Sequence, residues 1–157
     1  MPSETSAVPA GRAMTVIALD YGLRHIGVAV GNSLLCSAQP LAVVRARNGV
    51  PDWPSLAALL SQWRPERVIV GLPLNMDGTE SPMSVRAARF ARQIEGRFAV
   101  PVSVQDERLT SREAKSLLRE SGDWRNTGEI TADAEAACVI LADYWRSQGL
   151  AFTSPST

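Results

Sequence analysis

The chain has 157 residues, the size of one domain, and 45% hydrophobic against 20% charged residues allow a real core. No apolar run approaches the roughly 20 residues that span a bilayer, and a balance of 16 Lys and Arg against 16 Asp and Glu argues against a nucleic-acid binder held by overall charge, though not against a local basic patch. One histidine excludes a site built on several imidazoles, and Cys36 and Cys138 stand in no metal-type spacing, so any chemistry rests on carboxylates, hydroxyls or two reduced thiols.

Residues 1–13 are small and polar, without the apolar stretch of a secretory signal, and are expected to form a disordered leader. Residues 149–157 read as a flexible tail, which leaves 14–148 as one domain. Residues 15–20 and 26–32 predict two strands joined by a short turn, and residues 37–47 a third, with Pro40 pointing to an edge position. "DWPSLAALLSQWRPE" predicts a helix with Pro54 in its first turn. "ERVIVGLPL" is a continuous apolar run, typical of a central strand buried on both faces. A turn-rich "NMDGTESP" follows, then an amphipathic helix with Ala87, Phe90, Ala91, Ile94 and Phe98 on one face. Arg86, Arg89, Arg92 and Arg97 fall away from that face, as a solvated surface or a phosphate track would place them. "VPVSVQDE" predicts another strand. "TSREAKSLLRE" opens a helix with Thr110 three residues before Glu113, and "DAEAACVILADYW" is a last helix. The order predicts an α/β fold: a mixed five-stranded sheet with helices on both faces.

Several of these elements carry an acid. Val16, Ala18 and Asp20 share one face of the first strand, which Asp20 ends. Val102, Val104 and Asp106 share a face of the last strand, with Glu107 on the other. As parallel neighbours the two strands would bring their acids to one rim, where ligands of open α/β sheets gather. Asp133 falls on the apolar stripe of the last helix with Ala136, Ala137, Ile140 and Tyr144, and is expected in its first turn, where the helix dipole alone would favour an acid. Clustered carboxylates repel unless cations neutralise them, and hard oxygen ligands suit Mg²⁺ or Mn²⁺. Two such ions about 4 Å apart can activate water for phosphodiester cleavage.

Four blocks, "DYGLRHIGVAV", "VIVGLPLNMDGTESP", "VQDERLTSREA" and "DAEAACVIL", together resemble the YqgF-type pre-16S rRNA nucleases, relatives of the RuvC-type Holliday junction resolvases, over roughly residues 15–146. The resemblance implies an RNase H-like fold, a cytoplasmic role in maturing the 5′ end of 16S ribosomal RNA, and carboxylate-bound metal. By position it places catalysis on Asp20, Asp106, Glu107 and Asp133. Of the neighbouring pair, the longer Glu107 is expected to join Asp20 and Asp133 as metal ligand, and Asp106 to orient the following loop. The family usually has Lys-Arg where Arg24 and His25 stand, so Arg24 keeps one positive charge for the substrate phosphate and His25 makes the second pH-dependent. Asn75, Asp77 and Thr79 form a polar loop at the same rim, and Arg108, Thr110 and Ser111 lie at a helix N-terminus suited to phosphate; both groups are expected to contact substrate. Tyr21 reads as a packed tyrosine rather than a base platform. Partners are nucleic acid, either pre-rRNA or branched DNA, and no membrane. A Holliday junction resolvase, which would act as a homodimer, and a non-catalytic ribosome assembly factor are the alternative readings.

Overall fold

The structure, a computed structural model, describes residues 13–107 and 129–149. Strand β1 (Thr15–Asp20) turns back into β2 (His25–Asn32) and then β3 (Gln39–Arg47). The three are antiparallel, with Asp20 level with Gly27 and His25 level with Arg45. Pro40 lies beside a shift in the β2–β3 register between Val28 and Ala29. It sits on the part of β3 that no further strand among the described residues covers, so its missing N–H breaks no ladder with them.

Asn48 and Gly49, both at positive φ, turn β3 into β4 (Val50–Pro51). This strand makes the sheet six-stranded where the sequence predicts five. Two residues ending in proline are too few to show the alternation by which a strand is recognised. Helix α1 (Trp53–Trp63) begins at Asp52, whose carboxylate accepts from the Ser55 N–H, and ends at a left-handed Arg64 before Pro65. Next come β5 (Arg67–Leu72), α2 (Pro82–Phe98) opened by a Ser81–Ser84 capping box, and β6 (Val102–Asp106). The final element is α3 (Glu129–Ser147). The helix expected from Thr110 lies outside the described residues.

The sheet order is β4-β3-β2-β1-β5-β6, with β1, β5 and β6 parallel. Strands β1 and β6 are therefore not neighbours, as the sequence reading had them; β5 stands between, and all three end at one rim. Alternation divides the sheet into two faces. Ile17, Leu19, Val68 and Val70 meet Leu56 and Leu60 of α1 and Phe90 and Ile94 of α2. Val16, Ala18, Ala29 and Ile69 meet Ala137, Ile140, Leu141 and Trp145 of α3. Ala18, Ala29 and the glycines Gly27, Gly31 and Gly71 on this second face let α3 lie close on the backbone. No described helix is long and apolar enough to cross a membrane.

Candidate active site

The face beneath α3 holds the acids. Asp20 continues the Val16–Ala18 row, and its cross-strand partner Gly27 lies under the N-terminal part of α3. A Cβ on Gly27 would stand 1.9 Å from the Asp133 carbonyl oxygen, so the bare glycine lets the helix bring Asp133 down beside the end of β1. On the other side, the Leu19–Val70 pairing sets Gly71 level with the end of β1. Glu107 follows the last residue of β6; its N–H donates to the Leu72 carbonyl oxygen at 3.1 Å, and it is buried. A Cβ on Gly71 would meet Glu107 Oε2 at 2.5 Å, which places this carboxylate over Gly71, on the face shared with Asp20 and α3.

Asp133 is not where the sequence places it along its helix. Since α3 starts at Glu129, Asp133 belongs to the second turn, beyond the reach of the N-terminal dipole. Its side chain is 35% exposed at the rim rather than buried in the core, and Oδ2 is 3.8 Å from His25 Nδ1. Asp106 is exposed and belongs to the opposite face of β6 from Glu107. Arg24 is exposed at the β1–β2 turn, its carbonyl accepting from the Ala46 N–H at 2.8 Å. Asn75, Asp77 and Thr79 bond to one another: Asn75 Nδ2 donates to Thr79 Oγ1 at 3.0 Å, and the Thr79 hydroxyl and N–H donate to Asp77 Oδ1. Those bonds, with Gly78 at positive φ, account for the polar cluster as a turn; the turn stands beyond the end of β5, at the rim. Arg108, Thr110 and Ser111 lie outside the described residues. Tyr21 is packed, its ring 4.8 Å from that of Phe90.

Sequence reasoning missed three positions. Arg45 stands opposite His25, on the face of β3 away from Val44 and the α2 core. Its alternation with Val44 and Ala46 was legible, but the bulged register that pairs it with His25 was not. Gly27 and Gly71 were missed because a glycine within an apolar run gives no sign of what approaches it. The thiols are removed from the chemistry. Burial raises the pKa of Cys36, and burial followed by the nearby Glu135 charge raises that of Cys138 far above the ordinary thiol range, so both stay protonated and poorly nucleophilic. Among the described residues, no three His, Cys, Asp or Glu side chains stand close enough together to hold a metal ion as they are.

A three-strand antiparallel meander extended by parallel strands, with helices on both faces and acids at the rim, defines an RNase H-like fold of the RuvC type. T. thermophilus RuvC in complex with Holliday junction substrate superposes with a TM-score of 0.50 at 20% identity, covering 85% of this chain and 96% of that one. The fowlpox virus Holliday junction resolvase gives 0.52 at 18% identity, covering 85% and 99%. The chain belongs to the RuvX family, described as Holliday junction resolvase, whose profile matches residues 14–147. Curated relatives named "Putative pre-16S rRNA nuclease" include one from Saccharophagus degradans, 49% identical over 84% of this chain and 93% of its own length. Others come from Cronobacter sakazakii, 45% identical over 86% and 98%, and Escherichia coli O1:K1, 47% identical over 83% and 95%.

Proposed function

We propose that the protein is a divalent-metal-dependent nuclease that hydrolyses phosphodiester bonds at the 5′ end of pre-16S rRNA in the cytoplasm. What supports this reading is that Asp20, Glu107 and Asp133, from three segments distant in sequence, lie towards one rim on one sheet face, short of the mutual reach that a bound cation would demand. Three carboxylates with no sulfur ligand form a hard donor set that fits Mg²⁺ or Mn²⁺. The bare Gly71 supports the fit, because its missing side chain leaves Glu107 room to face the Asp20 side. Mutual repulsion is reason for such carboxylates to stay apart until a cation neutralises them. When bound, the metal would supply a water of lowered pKa and neutralise charge on the phosphate.

The chain's own residues do the rest. Asp20, Glu107 and Asp133 would hold the metal, and Asp106, on the other face, would orient the loop that follows. Arg24, with Arg45 opposite His25, presents positive charge to the scissile phosphate from the β2–β3 side, and the His25 imidazole stands beside Asp133. The Asn75–Thr79 turn limits the strand's path at the end of β5, and Arg108, Thr110 and Ser111 would take the next phosphate. The family's description as Holliday junction resolvase favours a second reading, a four-way DNA junction cut by a homodimer. Cleavage of matched 5′-leader RNA, single-stranded DNA and a four-way junction, each with Mg²⁺ or Mn²⁺, separates these. Preferred metal-dependent cutting of the RNA is expected. Cutting of the junction alone selects the second reading, and no cutting of any substrate by a metal-loaded protein rejects both.

A further inference from the structure

The four arginines of α2 have different fates. Arg97 stacks on Trp53, its guanidinium carbon 3.9 Å from the ring centroid, and Arg92 is exposed. Arg86 and Arg89 line a cavity of about 190 Å³ together with Tyr21, Asn48, Gly49 and Gln93. The sequence explains why the cavity forms there. Asn48 and Gly49 take positive φ, the Gly49 N–H donates to the Leu23 carbonyl at 2.9 Å, and the Tyr21 hydroxyl donates to the Gly49 carbonyl. These bonds hold the β3–β4 turn against the residue that follows Asp20. A Cβ on Gly49 would stand 2.7 Å from Arg86 Nη1, so the guanidinium rests against bare backbone.

No acid is among the described residues lining this cavity. Two guanidinium groups and the amides of Asn48 and Gln93 offer N–H donors to an anion, and a planar guanidinium matches the oxygens of a phosphate in pairs. An open groove of about 660 Å³ lies beside it along the β3–β4 hairpin, past Arg45 and Arg47. The acid on that groove, Asp52, is engaged in capping α1 through Ser55. The cavity and the carboxylates flank the same end of β1, on opposite faces of the sheet. We propose that Arg86 and Arg89 form a phosphate-binding subsite that holds the backbone of the substrate strand away from the bond being cut. The subsite rests on the nuclease reading above and extends it from the reacting phosphate to a neighbouring one.

The test is metal-free binding of a labelled single-stranded RNA and of a four-way DNA junction by fluorescence anisotropy across a salt series. Three proteins are compared: wild type, R86Q/R89Q, and R64Q/R92Q, which loses the same charge at exposed positions outside the cavity. R86Q/R89Q is expected to weaken binding about ten-fold at low salt and to flatten the log–log salt slope for RNA by about 0.7 for each lost phosphate contact. R64Q/R92Q should change little. Equal binding by R86Q/R89Q and wild type, or equal loss in both double variants, overturns the subsite while leaving the nuclease reading intact. Wild type that binds neither nucleic acid overturns both. Inorganic phosphate is titrated in parallel by calorimetry, and tighter binding of phosphate than of the oligonucleotide would make this a free-anion site and overturn the strand assignment.

Discussion

A methyl group on Gly71 would stand 2.5 Å from Oε2 of Glu107 and 2.6 Å from Cδ1 of Ile140. Gly71→Ala should therefore cost about 1–3 kcal/mol by overpacking and push the Glu107 carboxylate out of the site. A denaturant melt together with a cleavage assay checks this, and a variant with wild-type activity would remove Glu107 from the mechanism. Glu107→Gln should abolish cleavage while Asp106→Asn only slows it, because the first side chain is buried towards the site and the second is exposed on the other face. Strand alternation alone made that opposition of faces legible in the sequence. What approaches each glycine was not legible, because it depends on contacts across strands and helices. The thiols give a pH prediction. Burial raises their folded-state pKa values, so the folded chain keeps its thiol protons where the unfolded chain loses them. That stability is fully present below the ordinary thiol pKa of about 8.5 and is lost as pH rises from there towards the folded value. Urea melts at neutral and alkaline pH should show a smaller alkaline fall in Cys138→Ala than in wild type; equal falls would contradict a buried, neutral thiol.

Helix α3 is the element on which the site depends. It rests on Gly27 by its own backbone at Asp133, and Trp145 anchors it further on by donating from Nε1 to the Ser37 carbonyl at 2.9 Å. Gly27→Ala forces backbone against backbone, which no side-chain rotation relieves. It should lift the N-terminal half of α3, lower the melting temperature, and reduce activity more than stability alone explains. A Gly27→Ala protein that cleaves normally at low temperature would show that Asp133 need not sit so close to β1. The amphipathic stripe of α3 was readable from its period, but the turn in which Asp133 falls was not, because nothing in "GEITADAEAA" fixes where the helix begins. Likewise, each strand's acid was visible in isolation, but the insertion of β5 between β1 and β6 is a matter of crossover topology. Its consequence is that a glycine, and not a second acid, stands level with the end of β1.

Across the whole molecule, zero formal net charge conceals a separation of charge. On the α3 side of the sheet, Asp20, Glu107 and Asp133 lie towards the rim of β1, β5 and β6, while Arg45 and Arg47 occupy the neighbouring end of β3. Such an arrangement suits a ligand that brings its own negative charge and is held beside cations. Composition sees only the sum, so the separation emerges only once the strand order is known. The central claim is that the three acids act as one divalent-cation centre, and Mn²⁺ binding followed by electron paramagnetic resonance tests it without substrate. Wild type should bind Mn²⁺ in competition with Mg²⁺, and Asp20→Asn, Glu107→Gln and Asp133→Asn should each weaken binding at least about ten-fold, as expected for the loss of about 1.4 kcal/mol or more, with Asp106→Asn close to wild type. Undiminished Mn²⁺ binding in any of the first three variants, with the fold intact by circular dichroism, would contradict the account.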